Sequence, residues 1–195
     1  MKNWHVKGKW VIGLTGSILS GKSTALNYFT KQGVATFSCD EIVRELYASP
    51  RVLKEIEQLL GTTDKTKIAA LIFKNKAQRE ALEKLLHPLV FKELQSRINQ
   101  STQRVIVVEV PLLFETGWYK LTDLNIAVLA DPQTLPARLK GRNLTMQEYK
   151  RRLAHQFTDA EKANRADVVF FHASKAQLKK SVERFCNVFE VLQSK

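Results

Sequence analysis

The sequence predicts an α/β protein of three layers, built on a five-stranded parallel sheet and interrupted by a block of helices. Three observations predict it. Five short β-favouring runs alternate with segments of helical periodicity along the 195 residues, the pattern of parallel strands joined by crossover helices. Between the first run and the first helix stands Gly16-Ser17-Ile18-Leu19-Ser20-Gly21-Lys22-Ser23, which fits G-x-x-x-x-G-K-[ST] at every fixed position. Between the second and third runs, residues 41–100 read as almost wholly helical.

The first element is the strand Trp10-Val11-Ile12-Gly13-Leu14-Thr15. A strand end delivers the loop, glycines let backbone N–H groups close around phosphate oxygens, and the next helix adds its N-terminal dipole. That helix carries Ala25, Leu26, Tyr28 and Phe29 at helical spacing until Gly33 supplies a stop. Gly16, Ser17, Ile18, Leu19, Ser20, Gly21, Lys22, Ser23 and Thr24 are therefore the expected nucleotide site. Lys22 is expected to reach the β- and γ-phosphates, and the Ser23 hydroxyl to ligate Mg²⁺. The core is then a P-loop NTPase with ATP and Mg²⁺ as cofactors.

Val34-Ala35-Thr36-Phe37-Ser38 is the second strand, and Asp40 after it is placed to cap a helix carrying Ile42, Val43, Leu46 and Tyr47. A carboxylate at the carboxyl end of a strand is also where α/β sheets put catalytic groups, and the two roles are compatible. Val52, Leu53, Ile56, Leu59 and Leu60 form one apolar stripe, closed by Gly61. Ile68, Leu71, Ile72 and Phe73 form another. Ala77, Ala81, Leu82, Leu85 and Leu86 form a third, and Val90, Leu94 and Ile98 a fourth. His87-Pro88 between them predicts a kink or boundary, because the residue before proline is pushed out of the α region. Residues 41–100 read as a helical acceptor-binding subdomain, and residues 1–40 with 101–195 as the core.

Arg104-Val105-Ile106-Val107-Val108-Glu109-Val110 is the clearest β run, continuously apolar as a central parallel strand should be. Glu109 near its end reads either as a carboxylate paired with a base or as a group orienting Mg²⁺ through water. Pro111 ends the strand and Leu112-Leu113-Phe114-Glu115 follows. Leu124–Ala130 is the fourth strand. The basic stretch after it holds Arg138, Lys140, Arg142, Lys150, Arg151 and Arg152. It is a solvated face or, in a phosphate-transfer protein, an arginine-bearing lid over about residues 138–156. Thr145 with Glu148 and Thr158 with Glu161 are capping boxes. Val168-Val169-Phe170-Phe171 is the fifth strand, and Ser174 with Gln177 caps a last helix striped by Leu178, Val182, Phe185, Phe189 and Leu192.

Composition bounds the partners. Lys and Arg outnumber Asp and Glu 31 to 19, a net charge of +12. The basic residues are spread out, with no nucleic-acid module and no aromatic-interleaved basic motif, so two polyphosphate ligands account for the charge better than nucleic acid. No apolar run approaches the ~20 residues of a membrane span. The N-terminus, Met1-Lys2-Asn3-Trp4-His5-Val6-Lys7-Gly8-Lys9, leads into a strand rather than a signal-peptide apolar region, which argues for the cytoplasm. Cys39 and Cys186 lie far apart and the four histidines form no ligand cluster, so no zinc site is expected. The chain is expected to act as a monomer or small homo-oligomer.

Over nearly its full length the chain resembles dephospho-coenzyme A kinase. The matching pieces begin with Ile12–Gly16, Ser20–Thr24 and Asp40-Glu41-Ile42-Val43-Arg44-Glu45-Leu46. They continue with Leu86-His87-Pro88-Leu89, Val110–Glu115, Arg138, Arg142, Arg152-Leu153-Ala154-His155-Gln156 and Ala166–Val169. The resemblance implies transfer of the ATP γ-phosphate to the ribose 3′-hydroxyl of dephospho-coenzyme A. It places Asp40 on the general base, with Lys22, Arg138 and Arg142 as the other catalytic groups. It also places Thr15, Arg44, His87, Pro111 and Leu112 beside the acceptor. The alternatives are another small-molecule kinase of this fold or a nucleotide-binding module without catalysis. Departures bear on that choice. The family loop is usually Gly-Gly-x-Gly-Ser-Gly-Lys, with glycines where this chain has Ser17 and Leu19, and a leucine is strained wherever φ must be positive. Ser38 replaces an aspartate, and Phe170-Phe171-His172-Ala173 replaces an Asp-Asn-x-Gly-like turn near the adenine.

Overall fold

The computed structural model describes Trp4 and residues 6–193, with side chains through Phe189. Met1, Lys2, Asn3 and His5 of the basic N-terminus, and the Leu192 side chain of the last stripe, lie outside the described residues. The chain divides into two compact units, residues up to 37 together with 101 onward, and residues 38–100.

The first unit is the sheet. Its strands are β1 (Trp10–Thr15), β2 (Ala35–Ser38, whose last residue meets the unit boundary), β3 (Val105–Glu109), β4 (Leu124–Ala130) and β5 (Val168–His172). Their spatial order is β2-β3-β1-β4-β5, so β1 sits in the middle, paired in parallel with β3 and β4. Val11, Ile12, Leu14, Ile106, Val107, Val108, Ile126 and Val128 are fully buried, as strands covered on both faces require. The register sets Leu14 opposite Glu109 and Thr15 opposite Ala127, which gathers the loop and the buried acidic residue at the carboxyl edge.

Helix α1 (Lys22–Lys31) packs beside α9 (Lys175–Gln193), and Phe29, Phe170, Leu178 and Val182 join Ile12 and Leu14 in one core cluster. Phe185 meets Phe29 edge-on at 5.9 Å and stacks on Phe189 at 5.4 Å, geometries that add to simple area burial. Fully buried Trp4 meets Trp118 edge-on at 5.4 Å, Trp118 opening a short 3-10 turn to Leu121. The capping boxes at Thr145 and Thr158 are both formed and start α7 (Met146–Leu153) and α8 (Asp159–Arg165). Ser174 caps α9 through the Gln177 amide, while the Gln177 side chain reaches the N–H of Ala173. Between β4 and α7 runs α6 (Leu135–Gly141).

The second unit is helical: α2 (Cys39–Leu46), α3 (Pro50–Leu60), α4 (Lys65–Lys74) and α5 (Lys76–Gln100). Val52, Ile56, Leu60, Ile68, Leu82 and Leu86 form its core cluster. Gly61 ends α3 at φ 72°, a left-handed cap that glycine adopts without strain.

Two expectations are corrected here. His87-Pro88 is not a boundary: the third and fourth stripes belong to one helix, and Pro88 lies inside it. Leu82, Leu86, Val90, Leu94 and Ile98 are buried at four-residue intervals straight through the proline. Pro88 itself is exposed, so the carbonyl that loses its partner lies on the solvent side, and burial of the stripe outweighs the missing hydrogen bond. Asp40 is not the cap of α2. The extended Ser38 (φ −122°) holds that place without a side-chain capping bond, because the helix starts directly from the strand. Asp40 sits one step inside, where a carboxylate favours the helix dipole.

No helix among the described residues is long and apolar enough to cross a membrane. Cys39 and Cys186 are buried and form no disulfide.

Candidate active site

The loop after β1 needs two glycines for steric reasons. A Cβ at Gly16 would lie 2.3 Å from the Val128 carbonyl and 2.5 Å from Ser20 Oγ, and φ there is 155°. Gly21, at φ 101°, is the N-cap of α1 and offers no side chain to the first turn. That turn therefore keeps the dipole and amides an anion takes. Leu19 adopts φ 64°, so of Ser17 and Leu19 it is the leucine that carries left-handed strain, on the order of 1 kcal/mol.

Polar side chains cluster around this loop. Lys22 Nζ donates to the Ser17 carbonyl at 3.0 Å, spanning the loop it would neutralise. Ser23 Oγ donates to Glu109 Oε1 at 3.1 Å, and Glu109 is only 2% exposed. A hydroxyl beside a buried carboxylate is an all-oxygen donor pair of the kind a hard divalent cation takes. Ser20 Oγ is buried with no hydrogen-bond partner. Thr15 Oγ1 donates to the Pro111 carbonyl at 3.2 Å, and the Val110 N–H bonds Leu14, so the turn beginning at Pro111 and Leu112 hangs from the end of β1.

That turn has a second anchor. Lys162 of α8, with no exposed side-chain surface, donates to Glu115 Oε1 at 2.8 Å and to the Pro111 carbonyl at 3.4 Å. The Phe157 N–H adds a 2.7 Å bond to the same Glu115 oxygen. A buried ammonium needs such partners to offset its desolvation.

Arg138 of α6 reaches the loop directly. Nε donates to Thr134 Oγ1 at 2.8 Å, Nη1 to the Leu19 carbonyl at 2.9 Å, and Nη2 faces His172 Nδ1 at 3.4 Å. Burial lowers its pKa, yet guanidinium stays charged at neutral pH. His172 Nε2 lies 2.8 Å from the Ser20 carbonyl. Two more bonds come from the far end of the basic segment and the start of α8: Gln156 Oε1 accepts from the Ile18 N–H at 3.1 Å, and Asp159 accepts from the Ser17 hydroxyl. A pocket opens against Ser17–Ser20, walled by the Ala130–Leu135 turn, Arg138, Tyr149 and Asp159.

Arg142 is exposed just past the end of α6. In the helical unit, Asp40 is exposed in the first turn of α2. Arg44 faces Glu41 at 3.5 Å with most of its side chain in solvent, and His87 is half-buried on α5.

A family model described as dephospho-CoA kinase matches residues 10–177, a span that includes the loop, the helical unit and the basic segment. The chain belongs to the dephospho-CoA kinase family. A dephospho-CoA kinase of Fusobacterium nucleatum is 32% identical over 186 residues, covering 90% of this chain and 96% of that one. One from Nitrobacter winogradskyi is 36% identical over 168 residues, covering 82% and 84%. Among solved structures, TT1252 from Thermus thermophilus superposes with a TM-score of 0.84 at 25% identity, covering 92% of this chain and 97% of that one.

Against that family background, three groups at the site escaped the sequence reading. Lys162 is one basic residue among 31 and carried no signal beyond following a capping box. Asp159 reads from sequence only as a first-turn acid of α8. His172 reads from sequence only as part of the Phe170–Ala173 departure, and its contact with Ser20 spans 152 positions, which no local pattern reveals.

Proposed function

We propose that this chain phosphorylates the ribose 3′-hydroxyl of dephospho-CoA with ATP, giving CoA and ADP. The observation that carries the reading is the family match across residues 10–177, which takes in both the loop and the helices expected to hold the acceptor. In this reading residues 38–100 bind dephospho-CoA, with Arg44 and His87 beside it. Pro111 and Leu112 are the acceptor residues expected on the sheet unit.

The residues divide the chemistry. The acceptor hydroxyl oxygen bonds the γ-phosphorus as the bond to the β–γ bridging oxygen breaks, and that oxygen keeps the electron pair on ADP. Asp40, two residues past the carboxyl end of β2, takes the hydroxyl proton. Lys22 and Arg138 stabilise charge on the transferred group, and Arg142 joins them when the basic segment closes. The Ser23 hydroxyl would hold Mg²⁺, with Glu109 orienting it through water. When bound, that ion neutralises phosphate charge and orients the transferred group.

Incubation with Mg-ATP and dephospho-CoA, followed by ADP release and mass detection of CoA, tests the reading. Stoichiometric CoA and ADP are expected. Turnover with a nucleoside or nucleotide but not with dephospho-CoA would make this another kinase of the fold. Tight ATP binding without transfer to any acceptor would make it a binding module.

A further inference from the structure

His172 is a buried imidazole with both ring nitrogens engaged, and the proposed transfer does not use it. Its exposure is 2%. Nε2 lies 2.8 Å from the Ser20 carbonyl, and a carbonyl only accepts, so Nε2 carries a proton. Nδ1 faces Arg138 Nη2 at 3.4 Å, and guanidinium only donates, so Nδ1 presents its lone pair. The contacts select the neutral Nε2–H tautomer.

The consequence lies in the loop. A trans peptide points its C=O and N–H in opposite directions. By taking the Ser20 carbonyl, His172 turns the Gly21 N–H the other way, at the N-cap of α1, where phosphate oxygens would bind. Through Nδ1 it also seats the guanidinium that holds the neighbouring carbonyl of Leu19. One ring thus orders two successive peptides of a loop that is short of glycine at Ser17 and Leu19. Its packing is equally tight: a Cβ at Gly21 would come within 3.1 Å of Nε2.

We infer that neutral His172 is a positioning residue for the nucleotide, setting the Ser20–Gly21 peptide and Arg138 for the phosphates of ATP. This rests on the ATP-dependent reading of the loop. Protonation would place an N–H on Nδ1 against the guanidinium and unseat Arg138. The charged group facing the ring is Arg138, from α6. Asp131, whose N–H bonds the His172 carbonyl, gives its carboxylate to the Gln133 N–H. Gly21 and Leu178, which share the ring's surroundings, bring no charge. Burial lowers the imidazole pKa and Arg138 adds to this, against opposing contacts with the Ser20 and Ser174 backbone. The ring is accordingly neutral at pH 7.

Calorimetric titration of the full chain with ATP at pH 7.5 and 5.5 tests this, on wild type, H172L and H172Q. Gln keeps a donor for Ser20 and does not titrate. H172L is expected to weaken ATP binding roughly tenfold or more, as for loss of a buried hydrogen bond. Its KM for ATP should rise in step while its KM for dephospho-CoA stays near that of the wild type. H172Q is expected to stay within roughly threefold of wild type at pH 7.5 and to lose less affinity at pH 5.5, the nucleotide's own titration being common to both. Folded H172L with wild-type ATP affinity overturns the inference. Should H172L not fold, identical pH dependence in H172Q and wild type overturns it. Wild type that binds ATP but leaves dephospho-CoA untouched overturns the acceptor reading alone, and wild type that fails to bind ATP overturns both.

Discussion

Replacing Lys162 by methionine removes a charge from a place water does not reach. The ammonium lies 2.8 Å from Glu115 Oε1 with no exposed surface of its own, and Glu115 is 13% exposed. At that separation the gross attraction is about 6 kcal/mol for an effective dielectric of about 20, and desolvation of the two ions cancels much of it. The variant loses the attraction and keeps the desolvated carboxylate. Glu115 would retain the Phe157 N–H on Oε1, while Oε2 is already buried without a partner. The expected loss of stability is about 3–5 kcal/mol. In a chain of this length that lowers the melting temperature by roughly 6–20 °C. Urea unfolding followed by circular dichroism measures it, and the double variant K162M/E115L, which removes both charges, should recover most of the loss. A single variant within about 1 kcal/mol of wild type would show that the pair behaves like an exposed one and would refute the reasoning. A double variant no more stable than the single one would do the same. Because Lys162 also holds the Pro111 carbonyl, K162M at a temperature where it is folded should raise the KM for the acceptor more than that for ATP.

Asp40→Asn should lower kcat by roughly 10²–10⁴-fold, the range for loss of a general base, with the calorimetric ATP Kd nearly unchanged; near-normal kcat would leave Asp40 only a first-turn carboxylate. Lys22→Ala should weaken ATP binding and turnover together, and a variant with wild-type kinetics would remove the loop from the mechanism. Pro88→Ala should stabilise the protein by about 1–3 kcal/mol in urea unfolding, since it restores an N–H at an exposed site inside α5; destabilisation would mean that the proline is required by the helix's shape. The lowered pKa of His172 means that the unfolded chain takes up the proton first. Its contribution to stability is full above the ordinary imidazole value of about 6.5 and is lost as pH falls through the lower folded value. The melting temperature of H172Q should therefore fall less than that of wild type between pH 7 and 5, and parallel curves would count against the assignment.

Local physics made much of this molecule readable in advance. The run Trp10–Thr15 and the run Leu124–Ala130 are largely apolar segments with clear stops, and both are strands over those residues. Thr145-x-x-Glu148 and Thr158-x-x-Glu161 are reciprocal caps that close within four residues, so nothing distant can overrule them. Proline at 88 is a local signal too, but there a buried stripe of five residues overrules it. The site splits in the same way. Gly16, Gly21, Lys22 and Ser23 follow from what a phosphate loop must do. Lys162, Asp159 and His172 reach the loop and its neighbouring turn through contacts 47 to 152 positions away in sequence. They depend on the strand order β2-β3-β1-β4-β5, and β-favouring runs alone do not specify an order.

The placement of aromatic residues has a practical consequence. All three tryptophans, Trp4, Trp10 and Trp118, lie outside residues 38–100, where Tyr47 is the one tyrosine. Trp4 is sealed against the edge of Trp118, so its indole emission should shift when the sheet unit opens. Tryptophan fluorescence, excited apart from tyrosine, is thus a private channel for one unit, silent about α2 to α5, whereas helical ellipticity hears both. Recorded together during unfolding, the two signals would time the loss of the inserted helices against the loss of the sheet without any label.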